Sequence, residues 1–356
     1  MKRLFLSIVC VAVVCAGAGE AQAQSGPTAS SGTDFKKVGA AGGQFLKMEV
    51  GARAVGMGGA YTGVADDLTA LFWNPAGIAD LEGVSASFSY TSWFADFSHN
   101  FVAASLPVGD QFRAAVSVTT FSSGDIEVTT LLDPDGTGSF YSREDIAVGA
   151  TFGGYLTEQF SFAVTAKYVE EGFSSVSSGG MVFDVGTMYD TGINGIKLGF
   201  SINNLGSDFN YSGQDLIFQA DQEPVLDRRE SDATLLSNPY SLPLSFRAGL
   251  AADVLENFFG MTYEEGEVRE HALLMAVDFV TLSDTPEQFN IGAEYMWNEL
   301  LALRGGYKVN HDELGLSGGL GINYIGGGFS GQLDYAISTM SNFDVVHRVS
   351  IGVDLN

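Results

Sequence analysis

The chain has little positive charge and almost no cysteine. Its 356 residues include 17 Lys and Arg against 43 Asp and Glu, which gives a formal net charge of -26. Proteins that bind nucleic acid through phosphate contacts need clustered basic residues, so this balance excludes a nucleic-acid partner. Both cysteines, Cys10 and Cys15, lie within the first 23 residues. The rest of the chain therefore offers no disulfide, no thiolate metal ligand and no cysteine nucleophile.

Residues 1–23 read as a signal peptide for export. A basic start at Lys2-Arg3 precedes an apolar core over 4–18, and Ala21-Gln22-Ala23 resembles a small-residue cleavage site. We therefore expect this segment to be removed. The small polar residues of 24–34, QSGPTASSGTD, predict a flexible linker after the cleavage site.

Long hydrophobic runs are also missing after the signal segment. No apolar run approaches the ~18 residues of a membrane helix, although 46% of the residues are hydrophobic and 12% aromatic. Only helices and closed β-barrels can span lipid, and barrel strands give a much weaker signal per segment. Two classes remain, a soluble β protein and an outer-membrane barrel.

From residue 84 onward the chain consists of segments of about ten residues in which apolar and polar residues alternate, a pattern typical of β-strands. The number of these segments is even, as in single-chain bacterial barrels. The fourteen segments are 84–91, 99–107, 111–121, 143–155, 159–170, 179–189, 195–203, 242–252, 270–280, 287–296, 300–309, 314–323, 328–338 and 346–355.

The alternation separates charged from apolar residues. In 289–297, Phe289 and Ile291 share one face of the strand, whereas Asn290 and Glu294 share the other. The same parity in the other segments predicts twelve charged residues facing a polar lumen: Arg113, Lys167, Asp184, Lys197, Arg247, Asp278, Glu294, Arg304, Lys308, Asp334, Arg348 and Asp354. These charges could line a channel. We favour ion pairs that hold an internal plug, because buried polar groups need partners.

Connection lengths decide between a soluble sandwich and a barrel. If the connections are numbered in chain order, odd-numbered ones lie on one side of the sheet and even-numbered ones on the other. The long connections 122–142 and 204–241 are both odd-numbered, and most even-numbered connections are short. Long loops on one side and short turns on the other are typical of outer-membrane barrels. The connection 253–269 is an exception that we interpret as a protrusion on the turn side. We therefore predict an all-β membrane protein, a fourteen-stranded antiparallel outer-membrane barrel over 84–356.

The glycine-rich segment before the first strand predicts a hatch over 35–83. A fourteen-stranded barrel is too wide for its own inward side chains to fill, so another segment must plug it. Glycines, including Gly63, would let the backbone pack against the wall and adopt positive φ. Asp66 or Asp67 could cap a short helix that ends at Asn74-Pro75. The predicted hatch motif comprises Gly51, Arg53, Gly56, Gly58, Gly59, Asp66, Asp67, Asn74, Pro75 and Gly77.

Other interpretations of the glycine-rich segment are simpler. It could be an N-terminal arm that plugs nothing. A dinucleotide-binding loop is excluded, because GMGGAY lacks a third glycine and follows no predicted strand.

Two motifs could carry chemistry, but each has a simpler explanation. Gly315 to Gly319 matches the nucleophile-elbow pattern around Ser317, yet it lies inside an alternating strand rather than at a strand-to-helix turn. Asp133 and Asp135 could offer carboxylates to calcium, but Pro-Asp-Gly is a turn signal in its own right. We expect no enzymatic activity, no cofactor and no metal centre.

The segment GARAVGMGGAYTGVADDLTALFWNPAGIADLEG, residues 51–83, resembles the N-terminal signature of the PorV/PorQ family. The resemblance continues through most of the chain, for example in IGAEYMWNELLALRGGYK and LDYAIS. It implies an outer-membrane barrel with a hatch, similar in architecture to FadL-type transporters of hydrophobic compounds. It also implies a part in type IX secretion, in which external loops such as 204–241 dock exported cargo and partner proteins.

The alternative function is a FadL-like transporter of hydrophobic small molecules. It predicts a lipid-like ligand beside residues 45–80 of the hatch. In both cases the outer-membrane lipid is a partner, and a barrel lipid hydrolase that uses Ser317 is the third and least favoured hypothesis.

Overall fold

The computed structural model describes residues 41–193, 195–220, 231–255, 269–342 and 345–355. The expected signal peptide, the linker 24–34 and most of the connection 253–269 lie outside the described residues, as does the start of the predicted hatch. In the part of the chain that is described, no helix is long and apolar enough to cross a membrane.

The fold is a closed ring of fourteen antiparallel strands, which confirms the predicted barrel. The strands are β1 Val84–Ser92, β2 Ser98–Val108, β3 Phe112–Ser122, β4 Arg143–Thr157, β5 Phe160–Phe173, β6 Val176–Asp190, β7 Lys197–Gly206, β8 Ser245–Asp253, β9 His271–Leu282, β10 Thr285–Trp297, β11 Leu301–Val309, β12 Leu314–Gly326, β13 Phe329–Met340 and β14 Val346–Leu355. Each strand pairs with its neighbours in the chain, and β1 pairs with β14 in a register that sets Val84 opposite Leu355. The ring therefore has no free sheet edge.

The outer face of the barrel is apolar and the inner face is polar. In β10, Ile291 is 45% exposed on the outer face, while Asn290 and Glu294 are each 3% exposed on the inner face. Outward aromatic side chains lie near both ends of the ring, among them Tyr90 and Trp297. An apolar band flanked by aromatic residues is typical of a barrel in a bilayer.

The two ends of the barrel differ. One end, here called the loop rim, carries the connections 123–142 and 207–244; the other end, the turn rim, has two-residue turns such as 158–159 and 327–328. Outer-membrane barrels place long loops outside and short turns in the periplasm, so the loop rim corresponds to the external end. The connection between β8 and β9 begins and ends at the turn rim, so its length remains the exception to the rule.

Residues 41–83, here called the hatch, lie inside the ring. They form only short helical turns: Gln44–Lys47, α1 Ala52–Gly56, α2 Ala70–Trp73 and Pro75–Asp80. Their backbone is bonded to inward side chains on well-separated strands, since Ser350 of β14 accepts from Ala52 N at 2.8 Å and Ser201 of β7 donates to Trp73 O at 2.9 Å. The hatch supplies about half of the buried apolar side chains, because the outward apolar side chains of the wall are exposed to lipid.

The hatch crosses the lumen from one rim to the other. Near the loop rim, Gly42 N donates to Ser241 O at 3.0 Å. At the turn rim, the Arg113 guanidinium donates to Leu81 O at 2.7 Å and to Gly83 O at 2.6 Å. Both ends of the hatch are therefore fixed to the wall.

Close backbone contact explains the glycines, although not in every detail that the sequence predicted. Gly58 has φ +66° and lies so near β11 that a Cβ on Gly306 would come within 2.2 Å of Gly58 N. Gly51 and Gly59 also have positive φ, but Gly56 and Gly63 do not, so the prediction was wrong for these two. Gly56 and Gly63 instead leave room for the wall, because a Cβ at either position would lie only 3.2 Å from the nearest wall atom.

The helix signals were partly correct. Helix α2 ends at Trp73, and Asn74 is extended and accepts from Ala76 N at 3.3 Å, as expected for Asn before Pro. The predicted Asp cap agrees with Asp67 and not with Asp66. Asp67 accepts from Thr69 N at 2.8 Å, and Thr69, which has helical dihedral angles, makes no side-chain cap bond itself. Asp66 pairs with Arg53.

Replacing Ile291 by Arg should destabilise the barrel by about 2–4 kcal/mol, because it puts a charge on the lipid face near the middle of a strand. Leu301→Arg at the turn rim should cost about 0–1 kcal/mol, since the arginine there reaches the interface. Urea unfolding of both variants in lipid vesicles measures the two costs. Equal stability of the two variants would contradict the assigned outer face.

Candidate functional site

A chain of buried charges joins the hatch to the wall. Arg53 of α1 donates to both carboxylate oxygens of Glu294, at 2.9 Å each, and also pairs with Asp66 within the hatch. On the wall, Arg304 donates to Glu294 at 2.5 Å and to Asp334 at 2.6 Å. The Arg304 guanidinium thus connects strands β10, β11 and β13, and the Arg53 guanidinium connects this group to the hatch through Glu294.

Further polar contacts hold the hatch at other heights. Asp278 Oδ2 accepts from Tyr61 N at 2.9 Å and from Thr62 N at 2.8 Å. The Asn74 amide donates to Thr62 O at 2.9 Å and to Thr187 O of β6 at 3.1 Å. Backbone groups of a segment with so little regular structure need such partners, because they are shielded from water.

The twelve charged residues expected in the lumen lie on the inner face and fall into separate groups. Lys167 pairs with Asp184 at 2.8 Å, and Lys197 pairs with Asp80 of the hatch at 3.1 Å. Lys308 pairs with Glu49 of the hatch. Asp354 accepts from Ser330 at 3.1 Å.

Several hatch partners in these pairs were missed by sequence reasoning. Glu49 and Asp80 belong to the hatch and pair with the wall, and Lys47 pairs with Asp284 of the β9–β10 connection at 2.9 Å. No residue spacing signals such contacts, because each joins positions more than 100 residues apart.

A cavity of about 400 Å³, here called the outer cavity, lies at the loop rim beside the first residues of the hatch. Apolar side chains cover much of its wall. They are Met48, Trp93, Phe94, Val280, Leu282, Leu314 and Met340. Polar groups lie between them, and three of these, Arg247 Nε, Asn290 Oδ1 and Thr285 Oγ1, are buried without a hydrogen-bond partner in the protein.

Two buried arginines lie beside the outer cavity, each against an aromatic ring. Arg247 lines the outer cavity and stacks over the Trp73 ring at 4.7 Å, and Arg348 lies over the Trp93 ring at 5.6 Å. Among the described residues neither forms a direct ion pair, and Arg348 Nε and Nη2 have no partner. Aromatic rings partly compensate a buried guanidinium. The cavity therefore combines apolar walls with charges of both signs, since Glu49, Asp312 and Glu313 line it together with Lys47, Arg247 and Lys308.

His311, in the β11–β12 connection, contributes to the mouth of the outer cavity. Burial lowers the pKa of His311 to about 4, and the neighbouring Lys308 charge acts in the same direction. The neutral ring accepts from Leu314 N at 3.0 Å through Nδ1. At neutral pH His311 is therefore a structural acceptor rather than a cation.

The alternative chemical motifs have no site built around them. Ser317 lies within β12 with its hydroxyl 3.4 Å from that of Ser338, not at a strand-to-helix turn. Asp133 and Asp135 lie in the 123–142 connection, and no group of three or more potential metal ligands occurs in the described residues.

No protein-family model matches the chain, and no curated protein matches it in sequence. Solved structures do share the fold. The monoaromatic hydrocarbon channel CymD is 13% identical, with a TM-score of 0.54 over 85% of this chain and 96% of CymD. The toluene transporter TodX of Pseudomonas putida is 13% identical, with a TM-score of 0.51 over 85% of this chain and 96% of TodX.

A FadL homologue of Pseudomonas aeruginosa is 12% identical over 85% of this chain and 97% of its own, with a TM-score of 0.49. At these identities the likeness to CymD and TodX shows the fold alone, a closed antiparallel β-barrel. The barrel implied by the resemblance is thus confirmed, whereas membership of the PorV/PorQ family stays a prediction.

Replacing Arg53 by Met should loosen the hatch and cost about 3 kcal/mol, because it removes one partner of a buried pair while Arg304 still holds Glu294. Unfolding followed by the fluorescence of Trp73, inside the hatch, measures this loss. The additional change Glu294→Gln should recover part of it.

Lys197→Met is the matched control, since the Lys197 side chain is 39% exposed in its pair with Asp80. Its cost should stay below about 1 kcal/mol. If Arg53→Met were no more costly than this control, the Arg53 pair would not be what holds the hatch.

Proposed function

We propose that this protein is an outer-membrane transporter of hydrophobic small molecules, which enter through the outer cavity beside the hatch. The observation that carries the proposal is an apolar-walled cavity of about 400 Å³ at the loop rim of a FadL-like barrel. Its volume lies within the range of about 300–1,000 Å³ that is typical of small-molecule sites. CymD, a monoaromatic hydrocarbon channel, and TodX, a toluene transporter, share the fold and support the same ligand class.

The polar groups of the cavity narrow the ligand class. Met48 and Trp93 offer apolar contact, while Arg247 offers an Nε–H group without a hydrogen-bond partner. A purely hydrocarbon ligand would leave this buried donor unsatisfied, which is costly in an apolar environment. An amphiphile whose polar group accepts a hydrogen bond fits both parts of the wall.

Transport through the lumen requires the hatch to move. The hatch crosses the lumen from rim to rim, and Tyr61 and Trp73 within it are fully buried. Its helical turns are at most six residues long, but a shift would have to break its hydrogen bonds to the wall, such as those of Ala52 N with Ser350 and of Trp73 O with Ser201. The signal peptide expected over residues 1–23 would deliver the protein to the outer membrane.

Replacing Leu314, which lines the outer cavity and is 7% exposed, by Trp should fill the cavity and lower ligand affinity at least about tenfold. Leu316→Trp is the matched control, because Leu316 is 60% exposed on the lipid face of the same strand. Binding of a detergent-solubilised fatty acid or alkanol, followed through Trp93 fluorescence, gives both affinities. Equal binding by the two variants would count against the outer cavity as the ligand site.

The second candidate function is the docking of exported cargo in type IX secretion, as the PorV/PorQ resemblance implies. The observation that favours it is the fully exposed pair Leu131-Leu132 at the loop rim, with Leu236 exposed in the 207–244 connection. Exposed apolar side chains on external loops suit a protein partner. Deleting the gene should then reduce the surface display of exported cargo, and unchanged display would exclude this role.

A further inference from the structure

Three side chains line both the outer cavity and a second, smaller cavity in the lumen. This inner cavity has a volume of about 30 Å³ and lies on the side of the hatch that faces β2, β3 and β7. Leu46, Leu71, Phe72 and Phe101 form its apolar wall. Lys47, Arg247 and Leu282 line both cavities and therefore form the partition between them.

Two members of the partition are held firmly by polar contacts. The Lys47 ammonium lies 2.9 Å from Asp284, which also accepts from Gln44 at 2.9 Å. Arg247 is stacked on Trp73. Moving either cation would separate an ion pair or unstack a guanidinium in a dry site, and both are costly.

Leu282 differs from the two cations because its side chain has only van der Waals contacts to lose. It is 8% exposed, at the end of β9, and points into the lumen like Val280 and Asp278 of the same strand. Truncating it removes the aliphatic part of the partition without leaving a charge or a hydrogen bond unsatisfied. The space that it occupies would join the two cavities.

The inner cavity is too small for a ligand in the present arrangement. A volume of 30 Å³ holds roughly one or two waters, so an apolar chain that enters the outer cavity stops at the partition. We propose that Leu282 sets the greatest length of ligand chain that the site accepts, with Lys47 and Arg247 as its fixed neighbours. This inference rests on the proposed transport of hydrophobic small molecules.

The test uses straight-chain alkanols of about four to twelve carbons and the full-length protein in amphipol, with binding followed through the fluorescence of Trp93. For the unmodified protein, affinity should rise about fourfold with each added methylene and then stop rising at a limiting length. Leu282→Ala should move that limit by about two methylene groups. Leu282→Phe should move it in the opposite direction.

The control variant is Val280→Ala, because Val280 lines only the outer cavity. It should change affinities at all chain lengths and leave the limiting length where it is. Leu282→Val, a smaller truncation, provides the same test at half the effect if Leu282→Ala does not fold. Folding is checked by heat-modifiable migration in gels.

The outcomes separate this inference from the proposed function. A limiting length that is the same in the unmodified protein and in the folded Leu282 variants would overturn the role of Leu282 while leaving the transport proposal intact. A shift of equal size in Val280→Ala would overturn it as well. If no alkanol binds to the unmodified protein, the proposed function fails, and the inference fails with it.

Discussion

A ring of fourteen strands encloses more space than its own inward side chains can fill, and the rest of this structure follows from that constraint. The hatch fills the lumen and supplies the apolar core that a membrane barrel cannot take from its lipid-facing wall. Because water is excluded around it, each backbone group of the hatch needs a protein partner. Asp278, Ser201 and Ser350 of the wall provide such partners at well-separated points of the ring.

The buried charges explain how the hatch is placed as well as held. An ion pair in a dry interior contributes little net stability, since desolvation offsets most of the attraction, but it strongly penalises any arrangement that separates the partners. Arg53 between Glu294 and Asp66 thus selects one rotation and one height of α1 within the barrel. If the hatch moved, these charged side chains would have to find new ion-pair partners or be hydrated.

The polar interior also shapes what can pass. An apolar-walled cavity lies at the loop rim beside the hatch and Arg247. Leu282 and Lys47, one apolar side chain and one paired cation, lie between it and the inner cavity. Under the proposed transport function, capture of a ligand and its passage would be separate steps, and only passage would require the hatch to rearrange.

The sequence by itself determined the ring. Strand alternation has a strict period of two, so parity was enough to mark the fourteen strands and to place Glu294 and Ile291 on opposite faces. The lengths of the connections then distinguished a barrel from a sandwich. Only the tertiary structure decided which hatch residue meets which wall residue, as in the pairs of Glu49 with Lys308 and of Asp80 with Lys197. An irregular segment has no periodicity, and the wall it packs against is assembled from residues hundreds of positions apart. The outer cavity, the inner cavity and the partition between them form only when the hatch has packed against the wall.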